Sequence, residues 1–422
     1  MVFFLTLALP TWAQQGLNST SLTAPSVGTH ADTTVEDVSI ETYGVVDANA
    51  VWRYLSVRKG TTLTQAGIDR DYENLVRLGG FRTRLSIANG NDVNTTTLHW
   101  IVMAPWFRIT IHPLYEEPPL SDPTRGVGFA VTSRSNVALV TSFNRFAQHA
   151  LVTFTSPLAV DPYAGRETDL LVAVLGEKDD YRVSSPQSVT VHNWTSGAQV
   201  QYLRRGTAGT QFEIGLRAER STTNPSSGIT SPFVFPSDVT PAHSTIAAVG
   251  MSHACKPGPT GGWYAPFCHT QYRTFVADGI GGLGATSTFQ LYAADVAQYI
   301  PVRSSTLALH VVAARTGGVV PESRLLCTAA LRGYPEPFCG TDGTLLQAEY
   351  RLNDASFQHL KFVLFTETGS FRVRGGNQPS APPTYQWHPD SGVGIRYRGL
   401  EIDVARGTEG YRLNVGLSGQ SF

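Results

Sequence analysis

From Trp106 to the carboxy terminus no helical period survives, and apolar and polar residues alternate in segment after segment. Between Gln211 and Arg220, Phe212, Ile214, Leu216 and Ala218 share one face, and Gln211, Glu213, Arg217 and Glu219 the other. Leu307, Leu309, Val311 and Ala313 oppose Ala308, His310 and Ala314, while Tyr411, Leu413, Val415 and Leu417 oppose Arg412, Asn414, Ser418 and Gln420. A period of two sustained this long dictates β-strands with two unlike faces. Two architectures meet that demand: a membrane barrel with lipid outside and water inside, and a soluble antiparallel sandwich with one buried face. Length separates them, because residues 106–422 hold sixteen strands of about ten residues with about ten per connection. An eight-stranded barrel would need very long loops.

Charge points the same way. Only 15 % of residues are charged, against about 25 % in soluble globular chains. A lipid-facing charge costs about 2–4 kcal/mol at the bilayer midplane, so half of each strand must exclude it. Lysine is confined to Lys59, Lys178, Lys256 and Lys361. A mean hydropathy of −0.09 and a longest apolar run of only Val2 to Pro10 exclude a polytopic helical membrane protein, which needs spans of about 20 residues. Net charge −1 and a pI near 6.8 give no electrostatic case for nucleic acid.

The amino terminus reads as an export signal. An apolar core from Val2 to Leu9 precedes Thr11-Trp12-Ala13, small at the −3 and −1 positions of a cut before Gln14, so residues 1–13 are expected to be a signal peptide. It has no Lys or Arg ahead of the core, which points to a truncated or misassigned start. Residues 14–32, rich in Ser, Thr, Gly and Ala without a period, read as a linker. Four cysteines fall in two close pairs, Cys255/Cys268 and Cys327/Cys339. In an exported chain such pairs are expected to be disulfides across loops. His253, Cys255, Cys268 and His269 also offer four ligands of zinc type; export favours oxidation, and no metal or other cofactor is expected.

Residues 33–105 mix helix and strand. Val35, Val38 and Ile40 lie in a strand ending at Tyr43-Gly44; Asp47 caps a helix carrying Val51, Trp52 and Leu55, stopped by Gly60. Thr64 opens a second helix with Ile68, Tyr72, Leu75, Val76 and Leu78 at helical spacing, stopped by Gly79-Gly80. Phe81–Ile87 and Leu98–Val102 form two strands around the turn Asn89-Gly90-Asn91-Asp92. This β-α-α-β-β order, punctuated by Gly44, Gly60, Leu75 and Gly80-Phe81, resembles a POTRA (polypeptide-transport-associated) domain.

Toward the carboxy terminus the chain carries Leu331-Arg332-Gly333-Tyr334, then Leu345 to Arg351, Phe365 to Phe371, Ser391 to Arg396, Ile402 to Ala405 and a terminal Phe422. This ordered set resembles the carboxy-terminal half of a barrel of the Omp85 superfamily, the outer-membrane insertases and translocation pores. The resemblance implies a transmembrane antiparallel β-barrel of 16 strands over residues 106–422, behind one periplasmic POTRA domain. It further implies that Arg332, Gly333 and Tyr334 are the tip of the loop between strands 11 and 12, folded back into the lumen. An Arg there needs inward carboxylates, since its planar fork pairs with them bidentately. Glu349 shares the inward face with Gln347 and Arg351; Glu367 is the looser candidate, because Lys361, Val363 and Phe365 share its side.

The last strand, with Tyr411, Leu413, Val415 and Leu417, and the terminal Phe422 look like an outer-membrane targeting signal, although Phe422 is out of phase with that strand. A bulge would restore the phase. Gly279-x-Gly281-x-x-Gly284 fits a dinucleotide fingerprint only formally, because a strand-like segment follows it and the acidic residue about 20 positions on is missing. The histidines form no catalytic set, and His310 reads as an exposed lumenal residue; the chain is not expected to be an enzyme. By resemblance its role is the insertion or assembly of outer-membrane proteins. The competing readings are a pore exporting a dedicated partner, or a passive surface barrel. The implied partners are unfolded outer-membrane or secreted polypeptides and the lipid bilayer, with room on the periplasmic side for accessory proteins.

Overall fold

The computed structural model describes residues 24–417 apart from 45, 79–80, 105–106, 115–125, 134–136, 144–146, 184–188, 208, 226–241, 254–269, 282–284, 287, 319, 321–325, 328–330, 335–337, 353–359, 373–386 and 398–399. The expected signal peptide, most of the linker, Cys255, Cys268 and Phe422 therefore lie outside the described residues.

The amino-terminal unit is a three-stranded sheet with two short helices. Strands β1 (Thr34–Gly44), β2 (Arg82–Asn89) and β3 (Thr95–Ala104) lie in the order β1-β3-β2, with β1 parallel and β2 antiparallel to β3. Asp47 caps helix α1 (Ala48–Trp52) by accepting from the Asn49 amide at 3.0 Å. Thr64 caps α2 (Gln65–Glu73) by accepting from Gly67 N at 3.1 Å, and Asn74–Leu78 continue it as one wider turn. Helix α1 stops at Trp52, short of the expected Leu55, yet Leu55 still joins Val35, Val51, Leu63, Ile68, Leu75, Leu98 and Trp100 in a fully buried core. The end of the expected linker also docks here: Gln65 accepts from Val27 N at 2.8 Å and donates to Pro25 O at 3.2 Å, and Val27 is buried in the same core.

The rest of the chain is a closed barrel. Its wall begins with β4 (Phe107–Leu114), β5 (Gly126–Ser133), β6 (Val137–Phe143), β7 (Ala147–Asp161), β8 (Arg166–Val183) and β9 (Val189–Gly206). It continues with β10 (Thr210–Pro225), β11 (Ala242–His253), β12 (Thr270–Gly279), β13 (Phe289–Val302) and β14 (Ser305–Gly318). Two short loop strands follow, β15 (Leu326–Cys327) and β16 (Phe338–Gly340). The wall resumes with β17 (Asp342–Leu352), β18 (Leu360–Arg372), β19 (Trp387–Tyr397), β20 (Leu400–Gly407) and β21 (Gly410–Leu417), which returns beside β4. Strands β4–β14 and β17–β21 make sixteen, each antiparallel to its sequence neighbour, and β14 pairs directly with β17 across the excursion.

The polarity of this barrel is inverted relative to a soluble protein. Phe212, Ile214 and Leu216 of β10 are 41–51 % exposed on the outside, while Glu213, Arg217 and Glu219 at the alternate positions are buried inside. The same holds for Val172 and Val174 outside against Glu177 inside, and for Val393 and Ile395 outside against Arg396 inside. Charges held inward beneath an apolar exterior are stable only where the surroundings are lipid, which makes this a membrane-spanning barrel. The inward face is less wet than alternation suggests, because its charges pair with one another. Arg217 Nη2 lies 3.3 Å from Glu177 Oε2 and its Nε 2.8 Å from Glu219 Oε2. Gly279 sits under the Phe289 ring, where an added Cβ would come within 2.5 Å, so close packing rather than nucleotide binding explains it.

The small unit rests on the near rim of the barrel. Tyr54 Oη donates to Glu167 Oε1 at 2.7 Å, Asn74 Nδ2 donates to Pro162 O at 2.8 Å, and Val160 packs against the unit's core. Arg205 clamps the same corner, with Nη2 2.9 Å from Glu167 Oε2 and Nε 3.0 Å from Asp169 Oδ2. Burial, together with the neighbouring Glu167 charge, pushes the Tyr54 pKa up, so its phenol remains the donor.

Candidate functional site

The connection from β14 to β17 leaves the far rim and folds back inside the barrel. Its β15–β16 ladder sets Cys327 and Cys339 opposite one another, and β16 also pairs in parallel with the far end of β8. Between these short strands the chain makes a tight turn, closed by Tyr334 N donating to Leu331 O at 2.9 Å. Arg332, Gly333 and Tyr334 are all buried at that turn, 5 % exposed or less for the Arg and Tyr side chains' residues.

Arg332 is the hub. Its Nη2 pairs with Glu349 Oε1, its Nε lies 2.5 Å from Glu367 Oε1, and its Nη1 lies 3.7 Å from Asp403 Oδ2. The guanidinium carbon stands 3.9 Å over the Phe365 ring, so one face of the fork is covered by an aromatic quadrupole. Each carboxylate has a second partner. Glu349 Oε2 accepts from Arg351 Nε at 3.0 Å, Glu367 Oε2 from Gln347 Nε2 at 2.8 Å, and Asp403 Oδ1 from Arg396 Nη1 at 2.6 Å. Three guanidinium groups thus face three carboxylates in a space excluded from water. That balance matters, because a buried ion is stable only when paired and hydrogen-bonded.

The rest of the tip fixes its position. Gly333 N donates to Asp390 Oδ2 at 2.7 Å, and a Cβ on Gly333 would lie 2.6 Å from Asp390 Cβ and 2.7 Å from Gly407 N. No other residue fits that approach to the wall. Tyr334 Oη donates to Pro389 O at 3.0 Å and lies 3.1 Å from Thr408 Oγ1, with its ring edge-on to His388. Asn414 Nδ2 of the last strand donates to Arg332 O at 2.8 Å. The tip therefore touches β17, β18, β19, β20 and β21.

The structure places Arg332 against both predicted carboxylates. Glu367 faces inward with Val363 and Phe365, while Phe362 and Leu364 face out. Its parity looked ambiguous because the inward face of β18 is itself apolar where the loop docks. Sequence reasoning missed Asp403, Asp390, Asn414, Arg351 and Arg396. A signal for Asp403 was present, since it alternates with Ile402 and Val404 as Glu349 does with Ala348 and Tyr350. His310 corrects an expectation: it is 1 % exposed, not a solvated lumenal residue. Its Nε2 lies 2.7 Å from Asp295 Oδ1 and its Nδ1 2.6 Å from Gln347 Oε1, which links it through Gln347 to Glu367. His253 stacks on Tyr272 at 5.8 Å, and its proposed zinc partners lie outside the described residues.

In the terminal strand, Tyr411, Leu413 and Val415 point outward at 73, 67 and 60 % exposure. Outward residues within the wall, such as Phe212, Leu216 and Val174, reach 41, 49 and 61 %. At Tyr411 and Leu413 the last strand is covered less than the described interior strands are. Leu417 closes β21.

No protein-family model and no curated protein matches this sequence. Solved structures do. BamA from Haemophilus ducreyi lacking POTRA domains 1–3 superposes with a TM-score of 0.61 at 12 % identity, covering 91 % of this chain and 83 % of that one. CdiB from Acinetobacter baumannii gives a TM-score of 0.54 at 12 % identity, covering 91 % of this chain and 73 % of that chain. CdiB from Escherichia coli gives 0.54 at 11 % identity, with 91 % and 75 % covered. At such identities the likeness is one of fold: a closed barrel behind a small α/β unit, folded like the barrels of BamA and CdiB.

Proposed function

We propose that the protein acts in the outer membrane to insert or assemble other β-barrel polypeptides, with the small unit as a periplasmic POTRA domain. The observation that carries this reading is the terminal strand. Its outward Tyr411 and Leu413, at 73 and 67 %, are exposed beyond the outward apolar residues of the described interior strands, of which Val174 reaches 61 %, while its inward Asn414 is tied to the loop tip. A poorly covered strand beside the closing joint is an edge that an incoming strand can extend by backbone pairing. Burial of the new strands in lipid supplies the driving force, so no nucleotide is needed.

The small unit supports the same reading. Strand β2 lies at one edge of its sheet and β3 in the centre, so an unfolded polypeptide has a template close to the barrel mouth. The unit's contacts at Tyr54 and Asn74 hold that template at the near rim. The lumen supports insertion over passage, because the loop that carries Arg332 crosses it from β8 to β17 and β18.

Depletion of the protein followed by quantitative outer-membrane proteomics tests this. General loss of barrel proteins is the expected result. Loss of a single exported protein would assign the chain as a dedicated secretion pore, and an unchanged membrane proteome would leave a passive barrel.

A further inference from the structure

One feature of the outer wall is out of keeping with a purely apolar surface. Strand β14 presents Leu307, Leu309, Val311, Ala313 and Arg315 on its outward face, and Arg315 is exposed. No hydrogen bond or ion pair joins Arg315 to another side chain among the described residues. Asp342 is registered opposite it on β17, but is 7 % exposed and engaged in other interactions. Asp278, the next outward carboxylate, is two strands and one residue pair away, opposite Gln290.

Beside Arg315 the wall is hollowed. A groove of about 550 Å³ runs across β10 to β14 and β17. Its outward floor is a row of small residues in register, Thr274 opposite Ala294, Ala294 opposite Ala313, and Ala313 opposite Thr344. Tyr292, opposite both Val276 and Arg315, raises one bank. Three strand-to-strand steps make the row about 14 Å long, and the groove is lined mostly by apolar atoms.

Height fixes what can meet the cation. Arg315 lies ten residues along β14 from Ser305, at the near rim. At about 3.4 Å per residue and a tilt of about 40°, that is a rise of about 26 Å, the height of the apolar band of such barrels. Arg315 thus stands at the far boundary between hydrocarbon and headgroups, where its cost is low and phosphate is within reach.

We infer that this groove is a binding site for a phosphate-bearing lipid of the far leaflet, with an acyl chain on the Ala294–Ala313 floor and the phosphate on the Arg315 guanidinium. Charge complementarity selects that occupant: a planar fork without a protein carboxylate matches a phosphate bidentately, and a lipid without phosphate leaves it unanswered. The site is remote from the lumenal tip and does not depend on which polypeptides the barrel handles.

Native mass spectrometry of the full chain, released from detergent with lipid A carrying both phosphates or with the same glycolipid after phosphatase treatment, tests the assignment. The wild type is expected to retain one phosphorylated lipid at least tenfold more readily than the dephosphorylated form. Arg315→Gln should abolish that preference, Arg315→Lys should keep most of it, and Ala313→Leu, which fills the floor, should lower retention of both forms about tenfold. Heat-modifiable migration on gels checks that each variant is folded; if Arg315→Gln does not fold, Arg315→Lys and Ala313→Leu still decide. Equal retention of the two lipids by the wild type, a preference surviving in Arg315→Gln, or unchanged retention by Ala313→Leu would overturn the proposal.

Discussion

Removal of the Arg332 side chain is the most direct test of the lumenal hub. In Arg332→Ala, three carboxylates face the two remaining guanidinium groups of Arg351 and Arg396. Breaking a buried pair by deleting one partner costs about 3–5 kcal/mol when the other charge is left uncompensated. Glu349, Glu367 and Asp403 each keep a second donor, so the lower end applies, about 3 kcal/mol. Loss of the Phe365 contact is within that figure. At about 1.4 kcal/mol per decade, the docked tip should open roughly a hundredfold more often. Hydrogen exchange of the Gly333 amide reads this opening, because it donates to Asp390 Oδ2 of β19 only while the tip is docked. A double variant, Arg332→Ala with Glu349→Gln, removes one charge of each sign and should be less damaged than the sum of its parts. Exchange within threefold of wild type in Arg332→Ala would refute the idea that the ion cluster holds the tip.

Other outcomes follow from single contacts. Gly333→Ala leaves every charge in place but drives a methyl group into Asp390 and the Gly407 backbone; it should undock the tip at about 1–3 kcal/mol, seen as the same loss of exchange protection. Tyr54→Phe removes one buried hydrogen bond to Glu167, at about 1 kcal/mol because Arg205 still satisfies that carboxylate; distance measurements between spin labels should show a looser small unit on an unchanged barrel. Cys327 and Cys339, in register across β15 and β16, should be recovered as one disulfide-linked peptide pair in non-reducing digests, and a free thiol at either would refute the pairing. Hydrogen bonds from Thr95 and Asn91 lower the Glu36 pKa, so the Asn89–Asp92 turn should be fully stable above the ordinary carboxylate value of 4.5 and loosen as pH falls through the lowered one. Amide protection at Asn91, which donates to Glu36 Oε2 at 2.6 Å, checks this, and Glu36→Gln should abolish the pH dependence.

The parts of the molecule that sequence conveyed are those governed by local periodicity. Alternation in β10, β14 and β21 named the outward residues, because a strand bathed in lipid has one environment along its whole length. The order of the small unit was legible for the same reason: Asp47 and Thr64 cap helices by contacts two or three residues away. What escaped was non-local. Asp390, Asp403 and Asn414 meet the tip across 57 to 82 residues of chain, and no spacing rule reaches so far. The inward face of β18 was ambiguous because Val363, Phe365 and Phe371 are buried by protein there, not by lipid or water. A lumen filled by its own loop behaves as a core, and in a core apolar residues belong inside. His310 misled for that reason too: parity placed it in the lumen, and there it is buried against Asp295 and Gln347.

The hub and the terminal strand are better understood as one device than as two. The tip fastens β17 and β18 through Glu349 and Glu367, β19 and β20 through Asp390 and Asp403, and β21 through Asn414. Five consecutive strands are thereby bound from inside by contacts that do not depend on their ladder hydrogen bonds. The first wall strand, β4, adjoins only the last of these. If the barrel is to part anywhere, the tip biases the choice: opening between two of the five strands would break its buried ion pairs or hydrogen bonds as well as backbone pairing, whereas opening between β21 and β4 leaves every one of these tip contacts intact. The excess exposure of Tyr411 and Leu413 lies on the strand that this reasoning selects. An Arg inside the barrel can thus determine where the wall yields without lying at the seam.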